Sequence, residues 1–177
     1  MRKLFLTVLL SLCFGSVTAG ELFNPGPLID DYGKHAAVEH SSVLNKNTHL
    51  KVVFDLQKRA GDNGLNSKFE TLARLLNMHV ANGVPAENIQ LAVVVHSKAG
   101  LDLLNNKAYN KMANMDNPNH DLLKQLMANN VDVYICGQSA TYMQISNSDL
   151  IEGIQMSLSA LTAHALLQQD GYTLNPF

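Results

Sequence analysis

Ile89-Gln90-Leu91-Ala92-Val93-Val94-Val95 is a run with one polar side chain, closed by His96. An apolar stretch of this length, rich in β-branched residues, reads as a strand buried on both faces, as in a parallel sheet. Two similar runs flank it. Upstream, Leu50-Lys51-Val52-Val53-Phe54-Asp55-Leu56 is followed by the breaking segment Arg59-Ala60-Gly61-Asp62-Asn63-Gly64. Downstream, Val131-Asp132-Val133-Tyr134-Ile135-Cys136 leads into Gly137-Gln138-Ser139. Between the first two runs, Leu65, Phe69, Leu72, Leu75, Leu76 and Val80 recur at helical spacing up to about Asn82, with Gly83 ending the helix.

The alternation continues. A short helical piece is expected near Leu101 to Met115, and another begins at Asn117-Pro118, with Asn117 as N-cap and Pro118 as first helical residue. Ile154 to Ser157 reads as a fourth strand, Leu158 to Gln169 as a last helix ending at Gly171, and Tyr172-Thr173-Leu174 as an edge strand. Strands separated by helices predict an α/β domain over 49–177, with a mainly parallel sheet covered by helices on both faces. Residues 20–48 lack a sustained apolar period and contain Asn24-Pro25-Gly26-Pro27 and Asn45-Lys46-Asn47, so they read as an irregular N-terminal arm lying on that domain.

The first residues read as an export signal. Met1-Arg2-Lys3 is cationic, and Leu4 to Phe14 is almost unbroken apolar but too short to span a bilayer, which takes about 20 apolar residues. Val17-Thr18-Ala19 then predicts cleavage after Ala19 or Gly20, making residues 1–19 a signal peptide and the location periplasmic. A lipid anchor at Cys13 fits less well, because Leu12 stands where such signals take a small residue, so no stable membrane anchor is expected. Losing Arg2 and Lys3 moves the formal charge from -2 to -4, and losing Cys13 leaves Cys136 as the single thiol. A Cys-x-x-Cys oxidoreductase and an internal disulfide are then excluded. With 15 acidic against 13 basic residues and no long charge run, nucleic-acid binding is not expected.

In an open parallel sheet the site forms outside the carboxyl ends of the strands. The residues closing the three strongest strands are Asp55, His96 and Cys136, with Ser157 a weaker fourth. A thiolate at the start of Gly137-Gln138-Ser139 would be stabilised by free backbone N–H groups, and His96 on an adjacent strand could act as a cation or take the thiol proton. Each also has a plainer reading, as buried core cysteine, structural donor or turn cap. No cofactor is expected. His35, Glu39, His40 and His49 match no compact metal pattern, Met112, Met115 and Met127 read as core filler, and neither a Gly-x-Gly-x-x-Gly nor a Gly-Lys-Ser/Thr loop is present.

Val52 to Asp55, Val93 to His96, Tyr109, Asn117-Pro118-Asn119, Val131 through Ser139, Ser159-Ala160-Leu161 and Gly171-Tyr172 together resemble the DsrE/DsrF-like family, most specifically at Tyr134-Ile135-Cys136-Gly137-Gln138-Ser139. The arm resembles exported members at Gly26-Pro27-Leu28-Ile29 and Asp31-Tyr32-Gly33-Lys34. The resemblance implies a flavodoxin-like three-layer α/β/α sandwich, assembly as a homotrimer or homohexamer, and a link to sulfur trafficking. In the family's sulfur-relay members a cysteine ending the third strand carries sulfane sulfur as a persulfide between donor and acceptor proteins. Cys136 holds that position, with His96 and Asp55 beside it and Gly137, Gln138 and Ser139 as binding residues. The alternative is a non-catalytic oligomeric binding or assembly module.

Overall fold

The computed structural model describes residues 22–61 and 64–175. The expected leader, Cys13 and the cleavage site lie outside the described residues. None of the described helices is long and apolar enough to cross a membrane.

Five strands form one sheet: β3 (Leu50–Leu56), β4 (Ile89–Val95), β5 (Val131–Cys136), β6 (Gln155–Ser157) and β7 (Thr173–Asn175). Their order is β6-β5-β4-β3-β7, and every pairing is parallel. The helices between them are α1 (Ser67–Ala81), α2 (Asn106–Ala113), α3 (His120–Ala128), α4 (Gly137–Tyr142) and α5 (Ala160–Gln169). The described residues of the N-terminal arm contribute the short antiparallel pair β1 (Phe23–Asn24) and β2 (His35–Ala36).

Alternation along the strands sorts the side chains into two unequal layers. On one face Phe54, Leu56, Leu91, Val93, Val95, Val133 and Ile135 pack with Phe69, Leu72 and Leu76 of α1 and Leu122, Leu123 and Leu126 of α3. On the other, Val53, Ala92 and Val94 meet Ala163 and Leu167 of α5, with Tyr172 beside them. The chain moves outward from β3 through β4 and β5 to β6, then returns across the whole sheet to β7. Because parallel crossovers keep one hand, reversing the direction of travel sends α5 to the opposite face. The thinner layer is therefore built from the last part of the chain, and Asp55 and Cys136 belong to the same side by alternation.

Two expectations need correcting. Helix α3 begins at His120 with Asn119 at its N-cap, rather than at Pro118 with Asn117 as cap. The Asn117 amide is committed elsewhere. Its Nδ2 donates to the carbonyls of Asp102 and Leu104 at 2.8 and 2.6 Å, and its Oδ1 accepts from the Asn119 N–H at 2.9 Å. The helical piece expected from Leu101 to Met115 is two elements, a 3₁₀ segment at Ser97–Leu103 and α2, which ends at Asn114 in the left-handed conformation.

The arm is tied down chiefly by Asn77 of α1, which is fully buried. Its Oδ1 accepts from the N–H groups of Leu28 and Ile29, and its Nδ2 donates to the carbonyls of Ile29, Tyr32 and Gly33. Gly26 makes this possible, because a Cβ there would occupy the place of the Asn77 side chain.

Candidate active site at the carboxyl edge of the sheet

Strand register sets the site. Val95 of β4 lies opposite Ile135 of β5, so His96 and Cys136, each the next residue on its strand, end side by side. Asp55 stands opposite Val94, one step back on β3. The sequence thus points to three residues that the fold does bring to one edge.

Their bonding is more specific than adjacency. The Asp55 carboxylate accepts from His96 Nε2 at 3.1 Å and from His164 Nε2 at 2.9 Å. A carboxylate can only accept, so both rings carry their proton on Nε2. That leaves His96 Nδ1 facing the Ser97 hydroxyl at 3.2 Å, as the acceptor when the ring is neutral. Burial pushes the Asp55 carboxyl up, but hydrogen bonds and charge from His96 and His164 outweigh it and hold the group below the usual carboxylate range. A depressed carboxylate contributes stability that is present above its unfolded pKa and is lost as pH falls through its folded pKa. Asp55→Asn should therefore unfold with a shallower acid limb than wild type below about pH 4, followed by circular dichroism. Identical acid limbs would show that the two histidines do not stabilise the carboxylate.

His164 was not singled out from sequence. Its only signal is periodicity, since Ala160 and Leu167, four residues before and three after, lie on the inward stripe of α5 with Ala163. A histidine on that stripe must meet the sheet, and it meets Asp55. Its Nδ1 is buried without a hydrogen-bond partner.

Cys136 caps α4 and is 6% exposed. Burial pushes its thiol up, while the Ser139 hydroxyl and the N–H groups of Ser139, Ala160 and Gln138 pull it down and prevail, so the thiol ionises below its usual range. Gly137 lets this arrangement close, because a Cβ there would stand 2.7 Å from the Ser157 carbonyl oxygen. The Gln138 side chain is spent on the Leu158 carbonyl at 3.1 Å, so what it offers the thiol is its backbone N–H. Of the three expected binding residues, Ser139 has the most direct part. Its Oγ accepts the Ser97 N–H at 2.9 Å, which leaves the hydroxyl proton free to point at sulfur. Ser97 adopts a left-handed conformation (φ 53°) and is the residue that turns the chain there.

His96 does not hydrogen-bond the thiol. It bonds Asp55 and Ser97, and is linked to Cys136 through Ser97 and Ser139. Ser157, the weaker fourth candidate, directs its hydroxyl to the Ser159 carbonyl at 3.1 Å. Among the described residues, no group of three or more His, Cys, Asp or Glu is arranged to hold a metal ion.

Comparison with known proteins agrees with this architecture. The DsrE/DsrF-like family matches residues 51–176. Among solved structures, MTH1491 of Methanobacterium thermoautotrophicum, titled a protein of unknown function, is similar with a TM-score of 0.54 at 17% identity, covering 72% of this chain and 99% of its own. The ychN protein of E. coli is similar with a TM-score of 0.53 at 22% identity, again over 72% and 99%. No curated protein sequence matches the chain.

Proposed function

The chain belongs to the DsrE/DsrF-like family, and from that premise we propose that it is an exported sulfur carrier, or a sulfurtransferase-like protein, using a persulfide on Cys136. The observation that carries this reading is the set of donors around the thiol, the Ser139 hydroxyl and three backbone N–H groups, which favours the thiolate despite burial. A thiolate is the nucleophilic form of cysteine. It attacks a sulfane sulfur, the donor leaves with the electron pair of the broken S–S bond, and the new S–S bond holds the sulfur on Cys136 until an acceptor thiolate takes it. The same donors solvate the persulfide anion. Asp55 orients His96 and His164 through their Nε2 atoms, and His96 in turn meets the Ser97 hydroxyl at the turn whose N–H is bonded to Ser139 Oγ.

Intact-mass measurement after incubation with polysulfide tests the reading. Wild type should gain one sulfur atom per chain and Cys136→Ser none. Equal masses for the two proteins would remove the sulfur-carrier function.

A second reading, a non-catalytic binding or assembly module, is favoured by the low exposure of Cys136 and by the outer side of α5, where Leu161 is 83% and Leu166 60% exposed. Apolar side chains exposed on the thin layer suit assembly into a homotrimer or homohexamer, which light scattering would detect. This reading wins if the native thiol ionises no more readily than an ordinary buried cysteine. Periplasmic location rests on the leader residues 1–19, and the N-terminus of the exported protein would reveal the cleavage.

A further inference from the structure

Two cavities adjoin the site and share Ser97 and Lys98. The first, about 340 Å³, is walled by Gln138, Ser139, Tyr142 and Met143. The second, about 610 Å³, continues past Lys58 and Arg59. Each lies in the size range of sites for organic ligands, about 300–1,000 Å³.

The charge of this groove departs from that of the chain. The protein is acidic overall, with a formal charge of -2. Among the described residues no acidic side chain lines either cavity, and the lining includes two exposed lysines, Lys58 and Lys98, whose ammonium groups make no ion pair there. Arg59 is different, since its guanidinium is engaged with Asp102 and Tyr109. The first cavity, which Lys98 also lines, offers Tyr142 and Met143 as apolar wall. Ser139, whose hydroxyl bonds the Cys136 sulfur, lines the same cavity as that wall and is its link to the thiol, which itself lines neither cavity.

We propose that this groove binds a small organic thiol or persulfide bearing carboxylates, with the carboxylates on Lys58 and Lys98, the carbon skeleton against Tyr142 and Met143, and the sulfur toward Cys136. The inference rests on the sulfur-carrier reading and names its donor class. A compact inorganic anion such as thiosulfate would leave most of the groove's length empty. The transfer needs no further reactant. The Cys136 thiolate attacks the outer sulfur of the protonated donor persulfide, the donor's S–S bond breaks, and the donor departs as a thiolate. The proton stays with the transferred sulfur, giving a Cys136 hydropersulfide.

Reaction rates with a dianionic aromatic disulfide, dithiobis(nitrobenzoate), and an uncharged one, dithiodipyridine, test the charge preference on the full folded protein. The ratio of dianionic to uncharged rate should fall about ten-fold in Lys58→Ala/Lys98→Ala and should fall with salt in wild type. An unchanged ratio in the double variant overturns the groove assignment while leaving the reactive thiol intact. If neither reagent attacks native wild type, the sulfur-carrier reading fails, and equilibrium binding of glutathione decides the groove separately. Saturable binding to Cys136→Ser that is lost on adding both lysine substitutions upholds it, and absence of binding overturns it. Thiosulfate displacing glutathione at equal concentration would overturn the organic-ligand assignment.

Discussion

Asp102→Ala is expected to cost about 3 to 5 kcal/mol of folding stability, the range for stripping one partner from a buried charged network, measured as a lower urea midpoint at unchanged slope. Asp102 is fully buried in the 3₁₀ segment after β4. Its carboxyl receives Asn66 Nδ2 at 2.8 Å, the Ala60 N–H at 2.9 Å and Arg59 Nε at 3.4 Å. Burial pushes the Asp102 carboxyl above its usual range, against the opposing pull of these donors. Removing it would leave those donors facing a void and take the carboxylate away from the Arg59 guanidinium. The consequence reaches the site, because the 57–60 segment carries Lys58 and the 3₁₀ segment carries Ser97 and Lys98. Thiol reactivity toward the dianionic disulfide should therefore drop in this variant even below the unfolding midpoint. A loss under about 1 kcal/mol, the scale of an exposed pair, would show that the network does not brace these loops.

Asn77→Ala carries the second large effect, about 3 kcal/mol, because several buried backbone groups lose their partner at once and each unmet group costs about 1 to 3 kcal/mol before relaxation. Five hydrogen bonds run from this one side chain to residues 28–33. Relaxation is the expected outcome. The arm should lift away and expose Ile29, which is otherwise fully buried. Limited proteolysis should then cut within 22–48 while sparing 49–175, and Asn77→Asp should fall between, since it keeps the acceptor and loses the donor. Global unfolding without selective cleavage would mean the arm is part of the domain's core rather than a strap on it.

The central strands were readable because their environment leaves no choice of residue. A strand covered on both faces is apolar where it is covered, as Leu91 to Val95 are with Gln90 exposed before them, and Ile89–Val95 ends where the sequence run ends. The edge strands are bounded only approximately, since Gln155–Ser157 and Thr173–Asn175 are short and mostly exposed, with little pattern to bound them. At the candidate site, the strand-end rule puts Asp55, His96 and Cys136 on one edge, as the register does, but says nothing of their bonding. Adjacent ends suggested a histidine facing a thiol. The ring instead turns to Asp55, because a carboxylate on the neighbouring strand and a second histidine above it offer a better-satisfied arrangement. Asn117 misled for a related reason. A side chain suited to capping a helix was used to bridge Asp102 and Leu104, a long-range demand that local propensity does not contain.

The return of α5 across the sheet has a consequence in time. Asp55 and His164 are 109 positions apart in the chain, and Ala160, whose N–H faces the Cys136 sulfur, lies in the same late helix. Closing so long a loop is entropically slow and rewards the chain only at the end. A folding chain can pair β3, β4 and β5 and pack α1 and α3 while the thiol still lacks one of its donors and Asp55 one of its histidines. The full set of donors around the Cys136 thiol is then expected to close late in folding, and the appearance of native thiol reactivity during refolding should lag the recovery of helix signal.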